Sequence, residues 1–130
     1  MPHVAMEHAK NPKEALLETI GDFSDFHLFN NQVLCAVYIR PEKTKSGIIL
    51  AHQTRDEDRF QSKVGLLIAC GPTAFIDPEQ RWFVGEKIRH LEWLVFRASD
   101  GWNITVNNVL CRIMDDISIR GRVPHPDLVY

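Results

Sequence analysis

From Gln32 onward the chain is cut into short apolar pieces, each closed by a turn signal within about ten residues. "QVLCAVYI" (Gln32 to Ile39) is rich in branched and aromatic residues and ends at Arg40-Pro41. "KVGLLIACG" (Lys63 to Gly71) ends at Gly71-Pro72, and "KIRHLEWLVF" (Lys87 to Phe96) alternates from Ile88 before running apolar. "SDGWNITVNN" carries Asp100-Gly101 at one corner and Asn107-Asn108 at the other, the residue types that tight hairpins use. "VLCRIM" and "ISIRGRV" follow, separated by Asp115-Asp116, and "GPTAFIDPEQRWFVG" holds two turn signals that predict a small hairpin. Short strands at this spacing predict an all-β fold, a small barrel or sandwich.

One helix stands before the strands. In "NPKEALLETIG", Asn11 suits the N-cap, Pro12 the first helical position and Glu14 the third, where it can complete a capping box. Leu16, Leu17 and Ile20 form one apolar stripe, and Gly21 ends it. So short a helix does not hold in isolation, so the stripe must dock, on this chain or on a neighbour. The first ten residues read as an arm, and the tail "PHPDLVY" has two prolines that cannot extend a sheet ladder.

The totals narrow the function. A chain of 130 residues makes one domain and can bury a core without staples. Its 15 basic and 17 acidic residues nearly balance, which gives no electrostatic reason to expect nucleic acid or an anionic membrane as partner. No apolar run approaches the ~18 residues of a membrane span, and no signal-peptide core is visible. Three scattered cysteines, Cys35, Cys70 and Cys111, fit buried thiols in a reducing compartment, so a cytoplasmic protein is expected.

The search for chemistry returns little. The six histidines, His3, His8, His27, His52, His90 and His125, form no metal-ligand spacing, so no metal or cofactor is expected. Asp56-Glu57-Asp58 lacks the alternation and glycine of a calcium loop and reads as a solvated charged loop. There is no nucleophile elbow, no phosphate loop and no cysteine in an electropositive setting. Trp82, Trp93 and Trp102 have no basic stripe beside them, which favours packing over base stacking. The expectation is a non-enzymatic protein.

That leaves the connection from Pro41 to Ser62, about twenty residues between two good strands, longer than a compact domain usually spends. Within it, "TKSGIIL" sets three branched apolar residues beside Gly47 and before a charged run. One reading is an edge strand; the other is an anchor that orders in a partner's groove. Here the sequence resembles the GroES-type co-chaperonins. "QVLCAVYIRPEKTKSGIIL" resembles that family's first strand and mobile loop, and "KVGLLIACGP" the strand after it. "EWLVFRASDGWNI" is similar to its "D-x-V-x-F…D-G-Y/W" strand and corner, and "NNVLCRIMDDISIRG" to its closing strands. The likeness runs in order over residues 31–123. It departs at Leu91-Glu92, where the family has glycine before its aspartate, and in the added arm, helix and tail, which resemble phage-encoded versions.

The resemblance implies a small GroES-like β-barrel over residues 31–123 with a mobile loop at about 41–62. An arm and short helix (1–30) precede it and a tail (124–130) follows. It implies a homo-oligomer, a heptamer by the family's habit, capping a GroEL-type chaperonin whose apical domains receive Gly47, Ile48, Ile49 and Leu50. Leu16, Leu17 and Ile20 then serve as an assembly arm. A second reading keeps the barrel but places it in a tailed-phage virion, as a decoration or cement subunit bound to capsid protein. The arm, helix and tail then reach neighbouring subunits and lock them.

Overall fold

The computed structural model describes residues 11–40 and 61–129 of the chain. The arm Met1–Lys10 and the tetrad Gly47, Ile48, Ile49 and Leu50 lie outside the described residues.

Helix α1 (Pro12–Ile20) begins where its caps require. The Asn11 side chain accepts from the amide of Lys13 at 2.9 Å, and Pro12 has no N–H to leave unpaired. It stops at Gly21, whose φ of 60° suits glycine and whose N–H donates to the Leu17 carbonyl at 3.0 Å. Ile20 is buried in the larger core cluster, and Leu16 and Leu17 pack half-exposed against it. Asn107 ties the helix end down, donating to the Ile20 carbonyl at 2.7 Å and the Asp22 carbonyl at 2.9 Å. The stripe thus docks on the chain's own sheet. Replacing Ile20 with Ala is expected to cost about 2–4 kcal/mol in urea unfolding. A wild-type midpoint would show the helix to be peripheral.

Strands β1 (Gln32–Val37), β2 (Val64–Cys70), β3 (Trp93–Val95), β4 (Trp102–Val106), β5 (Val109–Asp115) and β6 (Gly121–Val123) form one antiparallel sheet. Its order is β4-β5-β1-β2-β3-β6. The fold is therefore mostly β with one short helix. Central β1 and β2 are apolar without alternation because both of their faces are covered. One face carries Leu34, Ala36, Tyr38, Leu66, Ile68 and Trp93 with Ile20; the other carries Val33, Cys35, Leu67, Leu94, Phe96 and Ile119. A bulge between Leu34 and Cys35 shifts the register from Ala69 to Leu67 and adds twist.

One ring packs across the middle of the sheet. Phe96, just past β3, lies against Gly65 of β2, where a Cβ would come within 3.3 Å of it and 2.9 Å of the Ala36 carbonyl. The Arg112 guanidinium of β5 sits 5.2 Å from the centre of the same ring. Among the described residues β4 and β6 nonetheless have one neighbour each, so the sheet is not closed.

Three expectations are corrected locally. Residues 71–85 make turns and no hairpin, because the Asp77 carboxylate takes the amides of Arg81, Trp82 and Phe83 that strand pairing would need. Of Lys87–Phe96 only Trp93–Val95 pairs. In "ISIRGRV" only Gly121–Val123 pairs, since Asp116 opens a 3-10 turn (Asp116–Ser118). Its carboxylate is held there by the Asn31 side chain at 3.0 Å and the Phe75 amide at 2.8 Å. The β4–β5 corner follows its residues: Asn107 and Asn108 have φ of 47° and 67°, the signs that a two-residue hairpin demands.

Candidate functional site: the root of the 41–60 segment

β1 and β2 are antiparallel neighbours that a turn of about two residues could join. This chain instead leaves β1 at Val37 and re-enters β2 at Val64. Both ends of the excursion are fastened. The Tyr38 amide donates to the Val64 carbonyl at 3.1 Å, and the Phe96 amide to the Lys63 carbonyl at 2.9 Å. Ser62 is fully buried, its hydroxyl 2.8 Å from the Tyr38 carbonyl and 3.1 Å from the Val64 carbonyl.

Arg112 holds the root from the Phe96 face. Its side chain is buried, 2% exposed; Nη1 donates to the Ser62 carbonyl and Nε to Asn103 Oδ1, both at 3.1 Å. Tyr38 holds it from the other face. Its ring packs edge-on against Trp93, centroids 5.8 Å apart, and its hydroxyl donates to Asp127 Oδ1. Asp127 belongs to a 3-10 turn (Pro126–Leu128) in the tail, where its amide donates to His125 Nδ1 at 3.1 Å.

Buried polar groups are costly unless satisfied, so their location is informative. Of the buried polar or charged side chains among the described residues, Ser62, Arg112 and Asp127 are at this root and only Asp116 is elsewhere. The arrangement positions backbone; it does not set up a nucleophile. Burial raises the thiols of Cys70 and Cys111 to about 11, and that of fully buried Cys35 further, so all three are protonated at neutral pH. Among the described residues no group of three or more His, Cys, Asp or Glu is placed to hold a metal ion, and no helix is long and apolar enough to cross a membrane.

None of the root residues is conspicuous by motif. The available signal was an arginine inside the apolar run "VLCRIM" and a serine one place before "KVGLLIAC". An Arg among strand hydrophobes must find partners indoors.

A second ordered surface flanks β6. Asp77 Oδ1 accepts from the Arg81 amide at 2.9 Å, and Oδ2 from those of Trp82 at 3.0 Å and Phe83 at 2.9 Å. Phe83 packs edge-on against Phe75, while Trp82 and Val84 point outward, 60% and 76% exposed. They edge a groove of about 360 Å³ completed by Ile88, Ile119 and Arg122. Of the other tryptophans, Trp93 is buried and Trp102 exposed.

Val84 has a φ of 51°, which costs a β-branched residue roughly 1–2 kcal/mol. Val84→Asn should therefore raise stability by about 0.5–1 kcal/mol, since asparagine tolerates this conformation and little burial is lost. A lower melting temperature would contradict that account. The amides around Asp77, first that of Phe83, hold its carboxyl below the usual value of 3.8. A depressed carboxylate contributes above its unfolded value and ceases to as pH falls through the folded one. Trp82 fluorescence should thus be flat above about pH 5 and change below about pH 4. Asp77→Ala should show the acid form at neutral pH; a spectrum like wild type would count against the clamp.

No protein-family model matches the chain, and comparison with curated proteins gives no match.

Proposed function

We propose that the chain is a non-enzymatic, co-chaperonin-like subunit, assembled into a homo-oligomeric ring and docking on GroEL-type apical domains through Gly47, Ile48, Ile49 and Leu50. The observation that carries this reading is the root. A connection that needs about two residues is extended through residues 38–63, and buried Ser62, Arg112 and the Tyr38–Asp127 pair fix both of its ends. A long insertion on a rigid base suits a segment that works outside its own domain.

Two further observations support it. Leu91 occupies the place where the resembled family has glycine and takes a φ of 67°, with its amide on the Leu67 carbonyl at 2.8 Å. The backbone shape for which glycine is suited is kept although the residue differs. We also read the six-stranded sheet as a GroES-like barrel with its seam between β4 and β6. Those two edges differ in sequence, "WNITV" against "GRV", and a head-to-tail contact between unlike edges closes into a ring where the rotation between subunits closes, and otherwise runs on as a filament.

The test is sedimentation of the purified protein alone, then with a nucleotide-loaded GroEL-type chaperonin. A ring that co-sediments supports the reading. A monomer that ignores every chaperonin offered, while the protein is found in purified phage particles, replaces it with the capsid-subunit reading.

A further inference from the structure

We propose that Asp127 is a positioning residue for the root of the 41–60 segment, and that the tail and that root are coupled through its hydrogen bond with Tyr38. Tyr38 is the first residue past β1. Its amide bonds Val64 and its carbonyl receives the Ser62 hydroxyl, so its backbone is itself part of the root. Its ring is 3% exposed and held edge-on by Trp93, which leaves the phenol no free swing. A shift of the Tyr38 backbone therefore displaces the hydroxyl, and the hydroxyl is held by Asp127.

Asp127 is equally constrained. It is 7% exposed, follows buried Pro126 in a single 3-10 turn, and has its amide capped by His125 Nδ1. The next residue but one, Val129, packs on the larger core cluster. Moving the carboxylate thus disturbs the whole turn. Two stretches far apart in sequence share one buried bond, and coupling of this kind is reciprocal. Whatever the 41–60 segment engages is then felt at residues 126–129, and whatever holds the tail changes the root.

The test is amide hydrogen exchange in the intact chain carrying Tyr38→Phe, Asp127→Ala, both, or Asp127→Asn. Tyr38→Phe keeps the ring and removes the donor. The expected result is exchange about tenfold faster both at the Tyr38 amide and at those of Leu128 and Val129, the scale of one buried hydrogen bond. The central Leu34 and Leu67 amides should be unaffected. The double variant should be no worse than the more affected single, and Asp127→Asn, which keeps an acceptor, should restore most protection. Additive effects, or faster exchange confined to the mutated stretch, would overturn the proposal.

A consequence for docking rests on the co-chaperonin reading: Tyr38→Phe should weaken chaperonin binding severalfold. Unchanged binding beside loosened exchange would refute positioning. If wild type binds no chaperonin, that reading fails, while the exchange result still decides the coupling.

Discussion

Ile49→Asp is expected to abolish co-sedimentation with a nucleotide-loaded chaperonin while the free protein unfolds at the wild-type temperature. On the proposed docking, the change places a carboxylate where water is excluded. An unpaired buried charge costs several kcal/mol even after relaxation, more than a single apolar side chain contributes by docking. Contacts repeated around a ring reinforce one another, and linked sites exceed a single affinity by about 10²–10⁴. The same arithmetic runs in reverse: a loss at every subunit multiplies, so binding disappears instead of weakening in proportion. A conservative Ile49→Val should lose only part of the affinity. Full binding by Ile49→Asp would remove the tripeptide from the interface. A fall in melting temperature as large as that of Ile20→Ala would place Ile49 in the protein's own core.

The two variants separate what the sequence made legible from what it did not. Ile20 was readable because caps, spacing and Gly21 agree on one short helix with one apolar side, and local rules alone decide that. The strands β1, β2, β4 and β5 were readable for the same reason: their turn residues, above all Asn107-Asn108, have conformational preferences of their own. The 71–85 stretch was not. Its apolar pieces look like a hairpin, but one carboxylate, Asp77, satisfies the amides that a hairpin would pair, and nothing in the period of the sequence marks that competition. The root was hidden for a different reason. Ser62, Arg112, Tyr38 and Asp127 are scattered along the chain and meet only when β1, β2 and β5 align and the tail folds back. Spacing rules detect neighbours in sequence; they do not detect partners brought together by register.

Arg112 is where that meeting has its largest energetic consequence. Arg112→Ala removes a donor to the Ser62 carbonyl, a donor to Asn103 and a cation from the Phe96 ring, and leaves a cavity behind. Hydrogen bonds to a charged group contribute about 1.5–3 kcal/mol, and a desolvated cation–π contact up to about 2. The expected loss is about 3–5 kcal/mol, a large part of the roughly 5–15 kcal/mol a domain of this size has. Arg112→Lys should recover little, since an ammonium cannot reach Ser62 and Asn103 together while lying flat on Phe96. Arg112→Met is the informative variant. It fills the space without burying a charge and should recover most of the global stability. It cannot satisfy the Ser62 carbonyl, which is fully buried, whereas Asn103 is exposed and can turn to water. Urea unfolding should therefore rank wild type above Met, with Lys and Ala below. Exchange at Ser62–Val64 should be faster than in wild type in all three variants. Slow exchange there in Arg112→Met would mean that the root needs the volume of Arg112 and not its hydrogen bonds.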